Sequence, residues 1–225
     1  MKKAALLWIC FGALLAGFGA GSAVLPGSGG WIKAEKIGPQ EWATVNLDVG
    51  TFRNGDPISE AKTDEEWQKA GNEGRPAWCY YGNDPANGAK YGRLYNWYAV
   101  NDPRGLAPAG WHVFRDAEWN ALIAYLGGEK VAGGKIKEAG TGHYLSPNVG
   151  ATNESGFAGL PGGMRLSEDA SFKYVGVSGI WWSATGSDKT KAEYRGVSNY
   201  HPTVFHNSGP KNHGFSVRCV RNPPE

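Results

Sequence analysis

The side chains of this 225-residue chain best able to ligate a metal or attack an electrophile are five histidines and three cysteines. The histidines are His112, His143, His201, His206 and His213. No His-Glu-x-x-His occurs, so the helix that presents two imidazoles to zinc in many proteases is absent. His201, His206 and His213 are near enough in sequence to share a metal on a loop. A metal-bound imidazole needs an ordered partner on its other ring nitrogen, and solvated contact residues are the simpler reading. No Gly-x-Ser-x-Gly elbow is present, and Ala132-Gly133-Gly134-Lys135 lacks the spacing of a phosphate-cradling loop. Asn83, Asp84, Asn153, Glu154 and Ser155 offer oxygens to calcium, but Asn and Asp in turns bond their own backbone. The expectation is therefore no catalysis, no metal and no cofactor.

Cys10 lies in an apolar run after Lys2 and Lys3, followed by the small residues Gly21-Ser22-Ala23. That order is a secretory signal over 1–23, too short for a membrane span. An uncleaved signal or anchor is the only membrane link expected. Val24–Gly30 reads as a linker and 31–221 as one domain. The product is expected to be secreted or at the cell surface. Two cysteines remain, Cys79 and Cys219, and in an exported chain such a pair is most often a disulfide. A bridge closing so long a loop contributes on the order of 4–5 kcal/mol in the chain-entropy model. A thiolate pair on a metal and two free thiols are the rival readings.

Recognition chemistry is denser than catalytic chemistry. Tyr194, Tyr200 and Phe205 supply rigid contact area, and Asn199, Asn207, Ser208 and Asn212 supply adaptable hydrogen bonds. Thr203, His201, His206 and His213 lie among them. From Val197 to Pro210 no helical or strand period is visible. Apolar anchors flank this segment: Gly179-Ile180-Trp181-Trp182 before it and Gly214-Phe215-Ser216-Val217 after it. A framework holding an irregular segment is the layout of a binding site on loops. Adjacent strand residues face opposite sides, so one of Trp181 and Trp182 is expected in the core and the other, Trp182, in the site.

The elements that must position these residues are short. Gly 34 implies many tight turns, and Trp 10 with Tyr 10 implies an aromatic core. The formal net charge of +2 gives no electrostatic case for nucleic acid. Thr63 with Glu66 is a capping box opening a helix that Gly71 ends. Trp119, Leu122, Ile123 and Leu126 recur at helical spacing behind Asp116 as N-cap. Val131–Glu138 is a second helix, weakened by Gly133 and Gly134. Tyr91, Tyr95 and Tyr98 are near helical spacing. Strands are expected at 42–47, 76–81, 180–184, 192–197 and 215–220. Helices early and strands late argue for α+β.

Several phrases taken together resemble one family. They include Trp78-Cys79-Tyr80-Tyr81, Tyr91-Gly92-Arg93-Leu94-Tyr95-Asn96-Trp97-Tyr98, Gly110-Trp111-His112-Val113, Gly156-Phe157, Leu160-Pro161-Gly162-Gly163, Trp181-Trp182-Ser183 and Gly214-Phe215-Ser216-Val217-Arg218-Cys219-Val220. Over about 31–221 the chain is similar to the Fibrobacter succinogenes major paralogous domain, itself similar to the formylglycine-generating enzymes. The resemblance implies a C-type lectin-like α+β fold, with first and last strands adjacent and variable loops on one face. It also implies pairing of Cys79 with Cys219. Where the family often has Leu-Cys-Pro this chain has Leu106-Ala107-Pro108.

A formylglycine-type oxidase would need reactive cysteines before the terminal phrase, and none lies between Trp181 and Arg218. Cys79 and Cys219 with copper are the only thiols left for that reading. The iron-binding histidine set of the ergothioneine-type relatives cannot be assembled. Proteins of this fold also serve as variable receptors of diversity-generating retroelements, in which template adenines are mutagenised. Scrambled AAC codons cannot give Lys, Glu, Gln, Met or Trp, and 197–210 contains none of these. The expected function is an exported module that binds a protein or glycan through 194–213. A cell-surface glycan-binding domain is the alternative.

Overall fold

The structure, a computed structural model, describes residues 23–24 and 31–222. The expected signal and most of the expected linker lie outside the described residues. In chain order the strands β1 (Ala23–Val24), β2 (Trp31–Ile32), β3 (Ala34–Ile37), β4 (Gln40–Ala43) and β5 (Ser59–Glu60) come first. Helix α1 (Asp64–Asn72), β6 (Ala77–Cys79), α2 (Pro85–Tyr91), β7 (Leu94–Tyr95), α3 (Trp97–Val100) and β8 (His112–Val113) follow. Then come α4 (Asp116–Tyr125), α5 (Glu129–Ile136), β9 (Gly162–Arg165), β10 (Phe172–Val175), β11 (Ser178–Gly186), β12 (Lys191–Ser198), β13 (Val204–Pro210) and β14 (Cys219–Arg221). The fold is α+β with short, mostly antiparallel strands. No described helix is long and apolar enough to cross a membrane.

The start and end of the described fold meet in one sheet of order β3-β4-β14-β8, where Val220 lies opposite both Trp42 and His112. A second sheet has order β11-β12-β13. The segment Gly214–Ser216 joins further elements: Gly214 bridges Arg165, Phe215 bridges Tyr95, and Ser216 bridges Trp181. The Gly-Phe-Ser phrase is therefore a staple between strands. Arg218 behind it is fully buried. It donates to the carbonyls of Ala43 at 2.7 Å and Phe157 at 2.8 Å and to Asn46 Oδ1 at 3.0 Å. Burial pulls its guanidinium down to about 9.

Two aromatic cores lie on the two faces of the β11-β12-β13 sheet. Trp181 joins Trp42, Trp119 and Phe157 against α4 and α5. Trp182 joins Trp78, Tyr95 and Phe215 on the other face. Burying each such ring contributes on the order of 4–6 kcal/mol of transfer free energy before entropy is counted.

Local chemistry explains the elements. Thr63 caps α1 in the expected box, its Oγ1 accepting from Glu66 N at 3.2 Å. Helix α4 starts one residue after its N-cap Arg115, so Asp116 is the first helical residue and not the cap. The run 91–100 is not one helix. Gly92 ends α2 at φ +72, and a Cβ there would lie 2.9 Å from Leu47 O. The chain then turns into β7, and Asn96 caps the single turn of α3 by accepting from Ala99 N. In α5 the two glycines have a packing role, since a Cβ on Gly133 would meet Thr203 O at 2.3 Å and one on Gly134 would meet Gly150 O at 2.2 Å.

The expected disulfide is absent. Cys79 lies in the β5-β6-β7 sheet and Cys219 in the β3-β4-β14-β8 sheet, in separate hydrophobic clusters. Both are free and buried. Burial pushes each thiol up to about 12.

Candidate functional site

The segment expected to be irregular is half regular. Val204–Pro210 forms β13, paired antiparallel with β12, with Tyr194 opposite Asn207 and Arg195 opposite His206. Its apolar and polar residues do not alternate cleanly, because β13 is an edge strand. Trp182 N donates outward to Ser216 O, which puts Tyr194 in a hydrogen-bonded pair with Asn207 and aims the main-chain groups of Val204, His206 and Ser208 at the open edge. Asn207 Oδ1 takes the Ser208 N–H at 2.8 Å and blunts that edge.

Four of the twelve expected contact residues are scaffold. Trp182 is fully buried and donates from Nε1 to Tyr95 O at 2.9 Å, so both tryptophans are core and neither lines a site. His213 is buried against Phe215, and its Nδ1 accepts from Ser167 N at 3.0 Å. Burial lowers its pKa, and Glu168 opposes this weakly. Asn212 packs against Gly71 of α1. Asn199 is fully buried, accepting Val149 N through its carbonyl and donating its amide Nδ2 to Leu145 O at 3.0 Å.

Tyr194 and Phe205 are half-buried against the Trp182 core. Tyr200, His201, Thr203, His206 and Asn207 are exposed, and Ser208 is half-exposed. The three histidines are not brought together, and no group of three or more metal-ligating side chains exists among the described residues. Asp84 and Asn153 serve turns: Asp84 caps α2 through Ala86 N, and Asn153 Oδ1 accepts from Ala158 N.

The structure gathers an apolar surface around Asn199. Asn199 N donates to Val177 O, Val177 N to Tyr174 O, and Leu145 N to Gly176 O. These bonds tie the loop 145–149, the turn 174–177 and the turn 199–203 to one node. Their outward side chains are Leu145 (58% exposed), Val149 (38%), Tyr174 (55%) and Tyr200 (58%). They are four of the seven exposed large hydrophobics among the described residues, so the exposure is concentrated and not scattered. Tyr174 also has φ +64, a conformation costing an aromatic residue on the order of 1–2 kcal/mol. Of this set only Tyr200 is legible as a contact residue in the sequence. A signal for the others exists: Tyr174 lies near the end of β10, two residues before Gly176, and Leu145 precedes Ser146-Pro147-Asn148.

Beyond the turn, Val204, Phe205 and His206 line a groove of about 450 Å³ with Trp119, Asn120 and Ile123 of α4. Arg195 at its base is buried and paired with Asp116 at 2.5 Å and Glu193 at 3.4 Å, while its Nε has no partner.

No curated protein and no solved structure matches the chain. Residues 36–221 match the Fibrobacter succinogenes major domain, Fib_succ_major. The matched span covers the buried strands, staples and caps described above, and the chain belongs to the Fibrobacter succinogenes major domain family.

Proposed function

We propose that this chain is an exported ligand-binding module on a C-type lectin-like scaffold, with a protein or glycan as partner and no catalysis. One observation carries the reading. Among the described residues most aromatic rings are buried, yet two of the three exposed tyrosines stand with Leu145 and Val149 on the segments bonded to one buried asparagine, the third being Tyr125 of α4. Tyrosines on a rigid frame give large contact area at low entropy cost, and the strained Tyr174 backbone marks a position held against its preference. The close pairing of β4 with β14 supports the lectin-like scaffold. The lysine-rich start and apolar run of 1–23 support export.

The oxidase reading is disfavoured by geometry. Its only available thiols lie in different core clusters, buried and pushed up to about 12, whereas a nucleophilic or copper-binding cysteine must ionise. If a retroelement diversifies 197–210, Asn199 and Val197 stay fixed because they are buried, and Tyr200, His201, Thr203, His206 and Asn207 vary. A near-copy of these codons beside a reverse transcriptase gene, differing at adenines, would support that extension. Binding itself is tested with a glycan array and a purified-protein array, using the wild type beside the double variant Tyr174→Ala with Tyr200→Ala. The proposal expects saturable binding that the double variant loses.

A further inference from the structure

Lys137, the residue after α5, is fully buried. No carboxylate pairs with it among the described residues, and its chain neighbour Glu138 turns to His143 at 2.9 Å. The Lys137 Nζ donates instead to three carbonyls: Val149 O at 2.8 Å, Ser198 O at 2.9 Å and His201 O at 2.9 Å. An ammonium has three donors, so its capacity is filled by backbone alone. A buried charge without a counter-ion carries a large desolvation cost. An apolar side chain would fill the same space without that cost, so packing does not account for a lysine here.

The three carbonyls belong to the segments that carry the exposed patch. Val149 closes one loop of it, and Ser198 and His201 flank Asn199 and Tyr200. Helix α5 reaches the same segments through its backbone: Gly134 N donates to Pro202 O and Gly134 O accepts from Thr152 N, both at 2.9 Å. The helix end, the ammonium and the two loops thus form one unit.

We infer that Lys137 is the positioning residue of the candidate face. Its ammonium is a resident cation around which the 145–149 and 198–203 loops are gathered, the part that a bound metal ion plays elsewhere in loop-built sites. The functional meaning of this inference rests on the binding reading above, but its test needs no ligand. Order in these loops then depends on Lys137 and not on divalent cations.

The test is amide hydrogen exchange on the full chain, comparing wild type with Lys137→Met and Lys137→Gln. Leu145, Val149, Asn199 and His201 report on the face, and Trp182 reports on the core sheet. The expected result is exchange about tenfold faster at the four face amides in Lys137→Met, the scale of one lost hydrogen bond. Trp182 should stay within about twofold, Lys137→Gln should fall between, and chelator should leave the wild type unchanged. Face amides unaltered in Lys137→Met, a uniform rise that includes Trp182 in both variants, or faster face exchange under chelator would each overturn it. If neither variant folds, an ammonium-selective nitrogen-15 spectrum of the wild type decides. A slowly exchanging Lys137 signal supports the clamp, and its absence overturns it. Ligand-array results move independently of all these readouts, so failure of the binding reading is distinguishable from failure of the clamp.

Discussion

The Asn199 side-chain amide donates to the Leu145 carbonyl at 3.0 Å across 54 residues of sequence. A residue chosen by type as a ligand contact is instead the buried node that presents the contacts. Removing its side chain takes the donor from the part-buried Leu145 carbonyl and empties a fully buried site. Asn199→Ala should cost about 1–3 kcal/mol in urea unfolding, with intrinsic tryptophan fluorescence following a single transition. A change under about 0.5 kcal/mol would show that the node carries no weight.

The two adjacent tryptophans divide between two cores. Trp181→Ala and Trp182→Ala should each cost about 3–5 kcal/mol, whereas Tyr200→Ala, at an exposed position, should stay within about 0.5 kcal/mol. Denaturant midpoints for the three variants check this. A mild Trp182→Ala would return that residue to the binding surface.

Cys79 and Cys219 should resist alkylation in the folded protein and react fully after unfolding without reductant, as read by peptide mass mapping. Burial is the cause, since the thiolate is the reactive form and both thiols are pushed up to about 12. A disulfide-linked peptide pair in unreduced protein would contradict the separation of the two residues.

Lys137 sets a pH dependence of stability. Burial pulls its amine down from 10.5 to about 8, while Tyr144 beside it stays neutral because burial raises its phenol. Below about pH 8 both folded and unfolded chains hold this proton, and the group adds no slope. Between about 8 and 10.5 the unfolded chain holds more of it, so the group makes stability rise with pH. The stability of wild type relative to Lys137→Met should therefore grow from pH 8 to pH 10 in parallel denaturation series. A difference that stays flat or shrinks would contradict the depressed amine.

Much of the scaffold was legible because its signals are local. The Thr63–Glu66 box, the periodicity of Trp119 to Leu126, and the strands around Trp181, Tyr194 and Val220 rest on nearby residues. The errors came where long-range contacts decide. Cysteine count cannot place Cys79 and Cys219 in different sheets. Gly92 turned an apparent helical run into a corner because Leu47 O approaches it. Residue type nominated Asn199, His213 and Trp182 for the surface, but only the fold reveals that their polar atoms are satisfied inside. Leu145, Val149 and Tyr174 went unnominated because their meeting with Tyr200 is set by bonds across separate loops.

Saturation binding of wild type and the Tyr174→Ala, Tyr200→Ala double variant on the glycan and protein arrays, with melting temperatures taken in parallel, decides whether the face around Asn199 recognises a ligand. The wild type should bind at least one ligand saturably. In the double variant half-saturation should weaken about tenfold or more, the scale of lost aromatic anchors, with the melting temperature nearly unchanged. Equal binding by the double variant at every ligand the wild type recognises would contradict recognition through that face.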